Sequence, residues 1–184
     1  VRRATLCNRH PSTLVSINNF GMLLKDKGNL AAAEPLISEA LEVRRETLGN
    51  RHSDTLASIN NLGVLLRDKG DLAAAEPLLR KALKVRRATL GERHPDTLIS
   101  INNLGVLLQA KGDLAAAEPQ ALLREALEVR RETLGERHPD TLASINSLGM
   151  LLHDTGEFFC EVLEGRRETL GDRHPHTLRS INNL

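Results

Sequence analysis

A near-identical text returns about every 42 residues, and that period limits the chain to a stacked array of equivalent units. Arg-His occurs at Arg9-His10, Arg51-His52, Arg93-His94, Arg137-His138 and Arg173-His174, with the histidines 42, 42, 44 and 36 residues apart. Between these marks the third unit reads His94-Pro95-Asp96-Thr97-Leu98, Ser100-Ile101-Asn102-Asn103-Leu104-Gly105, Lys111-Gly112-Asp113-Leu114 and Ala115-Ala116-Ala117-Glu118-Pro119. The predicted units are 10–51, 52–93, 94–137 and 138–173, with partial units at 1–9 and 174–184, forming one repeat array over 1–184. The chain opens in what reads as the tail of one helix and stops inside another, so it is expected to be a segment of a longer array.

Each unit predicts two helices. In the second, helix A spans about Asp54 to Lys69. Leu56, Ile59, Leu62, Gly63 and Leu66 fall at the three- and four-residue spacing of a buried helical face. Gly70 follows where a left-handed residue ends a helix, and Asp71 caps the next one. Helix B spans about Leu72 to Leu90, with Leu72, Ala75, Leu79, Ala82, Leu83 and Val85 apolar. Pro77, like Pro35 and Pro119, removes a helical hydrogen bond, and a bend is expected there. The chain has three Phe and neither Tyr nor Trp, so its cores must be built of Leu, Ala, Ile and Val.

The run Ile59-x-x-Leu62-Gly63-x-x-Leu66, followed by Gly70, Ala75, Leu79 and Ala82, resembles the tetratricopeptide pattern. The 42-residue period and the phrase Ala75-Glu76-Pro77-Leu78-Leu79 resemble the longer repeats of kinesin light chain and nephrocystin-like proteins, with aliphatic residues at the family's aromatic positions. The resemblance implies an all-α, right-handed superhelical solenoid of antiparallel helix pairs. It also implies a protein-interaction scaffold that holds an extended peptide or partner protein in a concave groove, such as a cargo or complex adaptor. The alternative is a regulatory repeat region whose catalytic or nucleotide-switch domain lies elsewhere in a larger protein.

Two units depart from the pattern. The third carries two additional residues near Gln120 and Ala121, expected to be absorbed as a bulge beside Pro119 before the face resumes at Leu123, Ala126 and Leu127. The fourth lacks six residues. Gly156-Glu157-Phe158-Phe159-Cys160-Glu161-Val162-Leu163 stands where helix B should open, and Gly165 replaces a Val. This unit is expected to be the least stable.

If Ile59, Leu62, Gly63 and Leu66 face inward, then Ala57, Asn60, Val64 and Arg67 form a neighbouring stripe. The same stripe reads Val15, Asn18, Met22, Lys25; Ile99, Asn102, Val106, Gln109; and Ala143, Asn146, Met150, His153. Resemblance to the family makes this the groove, with site residues Asn18, Lys25, Asn60, Val64, Arg67, Asn102, Val106, Gln109, Asn146 and His153. An asparagine amide both donates and accepts, so a row of them suits a peptide backbone. Lys25, Arg67 and His153 would favour an acidic segment. Asn19, Asn61 and Asn103 point about 100° further round and are read as links between neighbouring A helices. That the first set is structural as well stays open.

The remaining motifs point away from chemistry. His-Pro-Asp recurs at unit boundaries, which suits a turn and helix start. One histidine per unit does not make a metal shell. The pairs Arg44-Arg45, Arg86-Arg87, Arg130-Arg131 and Arg166-Arg167 are interleaved with glutamates and have no aromatic platform beside them. They read as solvated helix ends and inter-repeat ion pairs, and with a net charge of +1 they argue against nucleic acid. Cys7 and Cys160 have no ligand spacing. No catalytic constellation, cofactor motif, small-molecule site or membrane span is read, and the expected compartment is the cytoplasm.

Overall fold

A computed structural model of the protein describes residues 9–111 and 117–152, which form seven helices and no strand. The A helices are α1 (Pro11–Asp26), α3 (Ser53–Asp68), α5 (Pro95–Ala110) and α7 (Pro139–Leu151). The B helices are α2 (Leu30–Leu48), α4 (Leu72–Leu90) and α6 (Ala117–Leu134). Each packs against its neighbours in the chain, as an all-α repeat solenoid requires. The expectations for the shortened fourth B helix, Gly165, Cys7, Cys160 and His153 lie outside the described residues, as does the partial unit 174–184.

Local chemistry repeats with the sequence. His10, His52, His94 and His138 cap the A helices, each accepting at Nδ1 the backbone N–H two residues on, at 3.1–3.3 Å. Pro11, Pro95 and Pro139 follow at the start of the helix, where a missing N–H costs nothing. His-Pro-Asp is therefore a helix start. Gly28 and Gly70, at φ of +79° and +87°, end the turn from A to B, and Asn29 and Asp71 cap the B helices. Pro35 and Pro77 sit inside α2 and α4 on their exposed side. The carbonyls they leave without a donor belong to Ala31 and Ala73, which are also exposed, so water can take the place of the lost bond.

Within a unit, A and B approach through a glycine. A methyl group built on Gly63 would lie 2.7 Å from Leu79 Cδ2, and one on Gly21 would lie 2.7 Å from Ile37 Cγ1. Gly105 meets Leu123 in the same way at 2.8 Å. Ile37, Leu79 and Leu123 are fully buried. Bare backbone on one helix thus receives a branched side chain from the other.

Between units the link is a buried guanidinium. Arg44, Arg86 and Arg130 are 4%, 3% and 5% exposed. Each donates from Nη1 to the carbonyl of the next A helix's second residue (Asp54, Asp96, Asp140) at 2.9–3.1 Å, and to Ser58, Ser100 or Ser144 Oγ at 2.5–2.8 Å. This corrects the reading of both arginines as solvated. The first of each pair is sealed in the inter-unit contact, where burial pushes its pKa down against the nearby aspartate. Only the second faces the surface, as Arg87 does in reaching Glu92 and Glu125.

The third unit also differs from expectation. No bulge interrupts α6, which runs from Ala117 to Leu134 with Leu123, Ala126 and Leu127 buried. The Pro119 carbonyl stands 3.5 Å from the methyl position of Gly105, as the Ala75 carbonyl stands 3.5 Å from that of Gly63. Counting back from Leu123, Pro119 has replaced the small residue, and the two additional residues are taken up before the packed face begins. The reason is that Pro119 falls in the first turn, where its missing N–H is harmless, whereas a bulge would forfeit core contacts.

Gly63→Ala is expected to lower stability by about 1–3 kcal/mol, since Leu79 has no free space to retreat into. Urea denaturation followed by circular dichroism checks it; an unchanged midpoint would show that the A–B contact is looser than the geometry implies.

Candidate functional site

Which face a ligand could occupy follows from the curvature. Successive A helices touch each other, α1 with α3, α3 with α5 and α5 with α7, while no described pair of successive B helices does so to a comparable degree. Units that are closer along their A side curve with that side inward. The A helices therefore form the inner wall, and the predicted stripe can be followed along it.

The stripe is less open than its sequence suggests. Val64 is 9% exposed and belongs to the core between units, and Val106 packs against the core of α6 and α7. Asn18 and Asn60 are 7% and 5% exposed. Their Oδ1 atoms accept from Asn61 Nδ2 at 3.2 Å and Asn103 Nδ2 at 3.3 Å. The two asparagine sets thus form one ladder, each rung joining the first asparagine of a unit to the second asparagine of the next. Asn19, in α1, is exposed.

The third rung is missing. Ser147 stands where the second asparagine belongs, and its hydroxyl donates to its own helix at the Ala143 carbonyl, 3.1 Å away. Asn102 Oδ1 is consequently buried without a hydrogen-bond partner. Beside it Asn146 Nδ2 donates to Met150 Sδ at 3.4 Å, a weak acceptor.

The basic residues of the stripe are also engaged. Lys25 Nζ lies 3.2 Å from Asp26 and 3.3 Å from Asp68, and Arg67 Nη2 lies 2.7 Å from Asp68. Gln109 is half-buried on the same row. What the inner wall presents to solvent is mainly apolar: Val15 is 42% exposed, Ile99 38% and Met150 46%. The structure therefore brings Asn18, Lys25, Asn60, Val64 and Arg67 together with Asn102, Val106, Gln109 and Asn146 on one wall, with very different access to solvent.

On the other side, a cavity of about 610 Å³ lies between α4 and α6, with Leu83, Leu104 and Leu122 among the residues at its base. Its arginines are paired with carboxylates. Arg80 binds Glu118 through both oxygens at 2.6 and 2.9 Å and Glu76 at 2.7 Å, which raises the guanidinium pKa and holds the Glu118 carboxyl below its usual range; Lys111, 2.6 Å away, and then Arg80 do the same for Glu76. Among the described residues no cluster of three potential metal ligands occurs, and no helix is long and apolar enough to cross a membrane.

The family model for the tetratricopeptide repeat matches residues 12–88 and 54–121. Two solved structures, of the nearly identical TPR-like repeats of a Podosopora anserina kinesin light chain and of a single-substitution variant, align with TM-scores of 0.80. They share 28% and 27% identity with this chain, covering 95% of it and 85% and 84% of themselves. BtubC (BKLC) from P. vanneervenii shares the fold, with a TM-score of 0.67 at 21% identity over 94% of this chain and 65% of its own. No curated protein matches the sequence.

Ser147→Asn is expected to restore the third rung and stabilise the array by about 1 kcal/mol, the worth of one hydrogen bond made to a previously unpaired buried group. Thermal denaturation reads it as a higher midpoint. A lower one would mean that the asparagine does not fit between α5 and α7.

Proposed function

The chain belongs to the tetratricopeptide repeat family, and from that premise we propose that it is a protein-interaction scaffold, not a catalyst, holding an extended peptide segment along the inner wall formed by α1, α3, α5 and α7. The observation that carries this reading is the set of solvent-facing apolar side chains on this wall, Val15 and Ile99 at one height and Met150 two turns further along its helix, where equivalent positions are in register from unit to unit. Isolated exposed apolar residues need no explanation, but several on one wall of a groove are what an extended ligand can use. Asn18, Asn60, Asn102 and Asn146 lie between these two heights, with Val64 and Val106 as floor and Lys25, Arg67 and Gln109 along one margin.

The likeness to kinesin light chain repeats at 27–28% identity favours the narrower role of a cargo or complex adaptor over that of a regulatory appendage. The charges favour an apolar segment over a strongly acidic one. Lys25 and Arg67 already face Asp68, so an acidic ligand would have to displace an existing pair. Nucleic acid is disfavoured on similar grounds: Arg44, Arg86 and Arg130 are buried, and Arg87 and Arg131 are paired with glutamates.

A displayed library of unstructured twelve-residue peptides tests the proposal. Selected binders are expected to lose affinity at least about tenfold when Ile99→Asp or Met150→Asp places a charge on the wall, with helicity by circular dichroism unchanged. Binders indifferent to both substitutions would overturn it.

A further inference from the structure

Repetition makes most of the inner wall self-sufficient. Asn18 and Asn60 have their oxygens occupied by the following unit, and Lys25 and Arg67 have their charges occupied by Asp68. A ligand gains little by approaching groups that would first have to be released. The wall between α5 and α7 differs on three counts. Asn102 carries an acceptor with no donor, because Ser147 has replaced the asparagine that would supply one. Asn146 carries a donor spent on a thioether sulfur. Ile99 and Met150, both exposed, stand on either side of these amides in the stripe.

We infer that the junction of the third and fourth units, around Asn102 and Asn146, is the anchoring point of this groove, and that it takes the backbone amide of an uncharged, extended peptide segment flanked by apolar side chains. The inference rests on the groove reading above and narrows it to one place. Asn102 as a whole is half-buried, so its amide reaches the groove by rotation about its last side-chain bond, a soft two-fold torsion. On Asn18 and Asn60 that rotation is held by the ladder; on Asn102 no described bond to Oδ1 holds it. Turned outward, the oxygen accepts a peptide N–H, and Asn146 Nδ2 exchanges sulfur for a peptide carbonyl, a stronger acceptor. Ile99 and Met150 cover the apolar side chains on either side and exclude water from both hydrogen bonds. The partner is thus selected by exposed backbone and apolar neighbours, and acidic residues at the anchor bring no advantage.

Titration calorimetry with the strongest uncharged peptide from the library, on the full chain and two variants, tests the inference. Ser147→Asn closes the rung and is expected to weaken the peptide at least about tenfold while raising the melting midpoint. Ser147→Ala supplies no donor and is expected to bind within about twofold of the parent chain. The side-chain amide resonances of Asn102 and Asn146 should move on peptide addition, and those of Asn61 and Asn103 should not. Equal affinity in Ser147→Asn, or shifts spread evenly over all units, overturns the anchor. A peptide lost on Ile99→Asp but indifferent to Ser147→Asn sinks the anchor and leaves the groove standing. A library without any groove binder sinks both.

Discussion

The inter-unit contact depends on a charge that has almost left water. Arg44, Arg86 and Arg130 are buried at the end of each B helix, and each gives two hydrogen bonds to the first turns of the following A helix. Hydrogen bonds from a charged donor are worth about 1.5–3 kcal/mol, and leaving their acceptors empty costs a comparable amount. Their geometry matters more than their sum. A planar guanidinium that reaches both a backbone carbonyl and a serine hydroxyl fixes the angle at which one unit meets the next. Because the same three partners recur, that angle recurs, and equivalent side chains come into line along the inner wall.

Curvature then decides what the wall can offer. With A-helix backbones closer across units than those of the B helices, residues on the stripe are drawn together and begin to bind each other. Val64 enters the core, the asparagines form rungs, and Lys25 and Arg67 converge on one carboxylate. Bringing a row of polar groups together raises its local concentration, but it also lets the groups satisfy one another. The groove of a perfect repeat would therefore show a ligand mostly apolar side chains and already occupied amides.

Helix boundaries, caps and turn glycines were legible because each is local: Gly70 and Asp71, or His94 and Pro95, act within a few residues of themselves. The glycine contact was visible only as a pattern, since nothing in Gly63 alone says that Leu79 fills its place. Arg86 departs from the sequence expectation for a physical reason. Paired arginines near a helix end are ordinarily solvated, and what holds the first of them inside here is long-range, a serine fourteen residues on at each described junction. The stripe is a property of one helix at a time, whereas the depth of Val64 and Asn60 is set by the neighbouring A helix. The sequence did mark the one lapse that matters: Asn-Asn in three units and Asn146-Ser147 in the fourth.

Two lapses from the pattern meet at the same junction, and the array survives both because its energetics are nearest-neighbour. The additional residues before α6 are taken up ahead of Pro119, so that Leu123 still meets Gly105 and Arg130 still reaches Ser144. Glu118, ahead of Pro119, lies 2.6 Å from Arg80 of the preceding unit. Ser147, by contrast, is offset by nothing: it leaves Asn102 Oδ1 without a donor in a wall where the equivalent oxygens are taken. Among the first asparagines of the first three units, the one oxygen without a donor lies where the following unit departs from the pattern. In a repeat protein the binding chemistry is therefore to be sought at the departures from the consensus more than in the consensus itself.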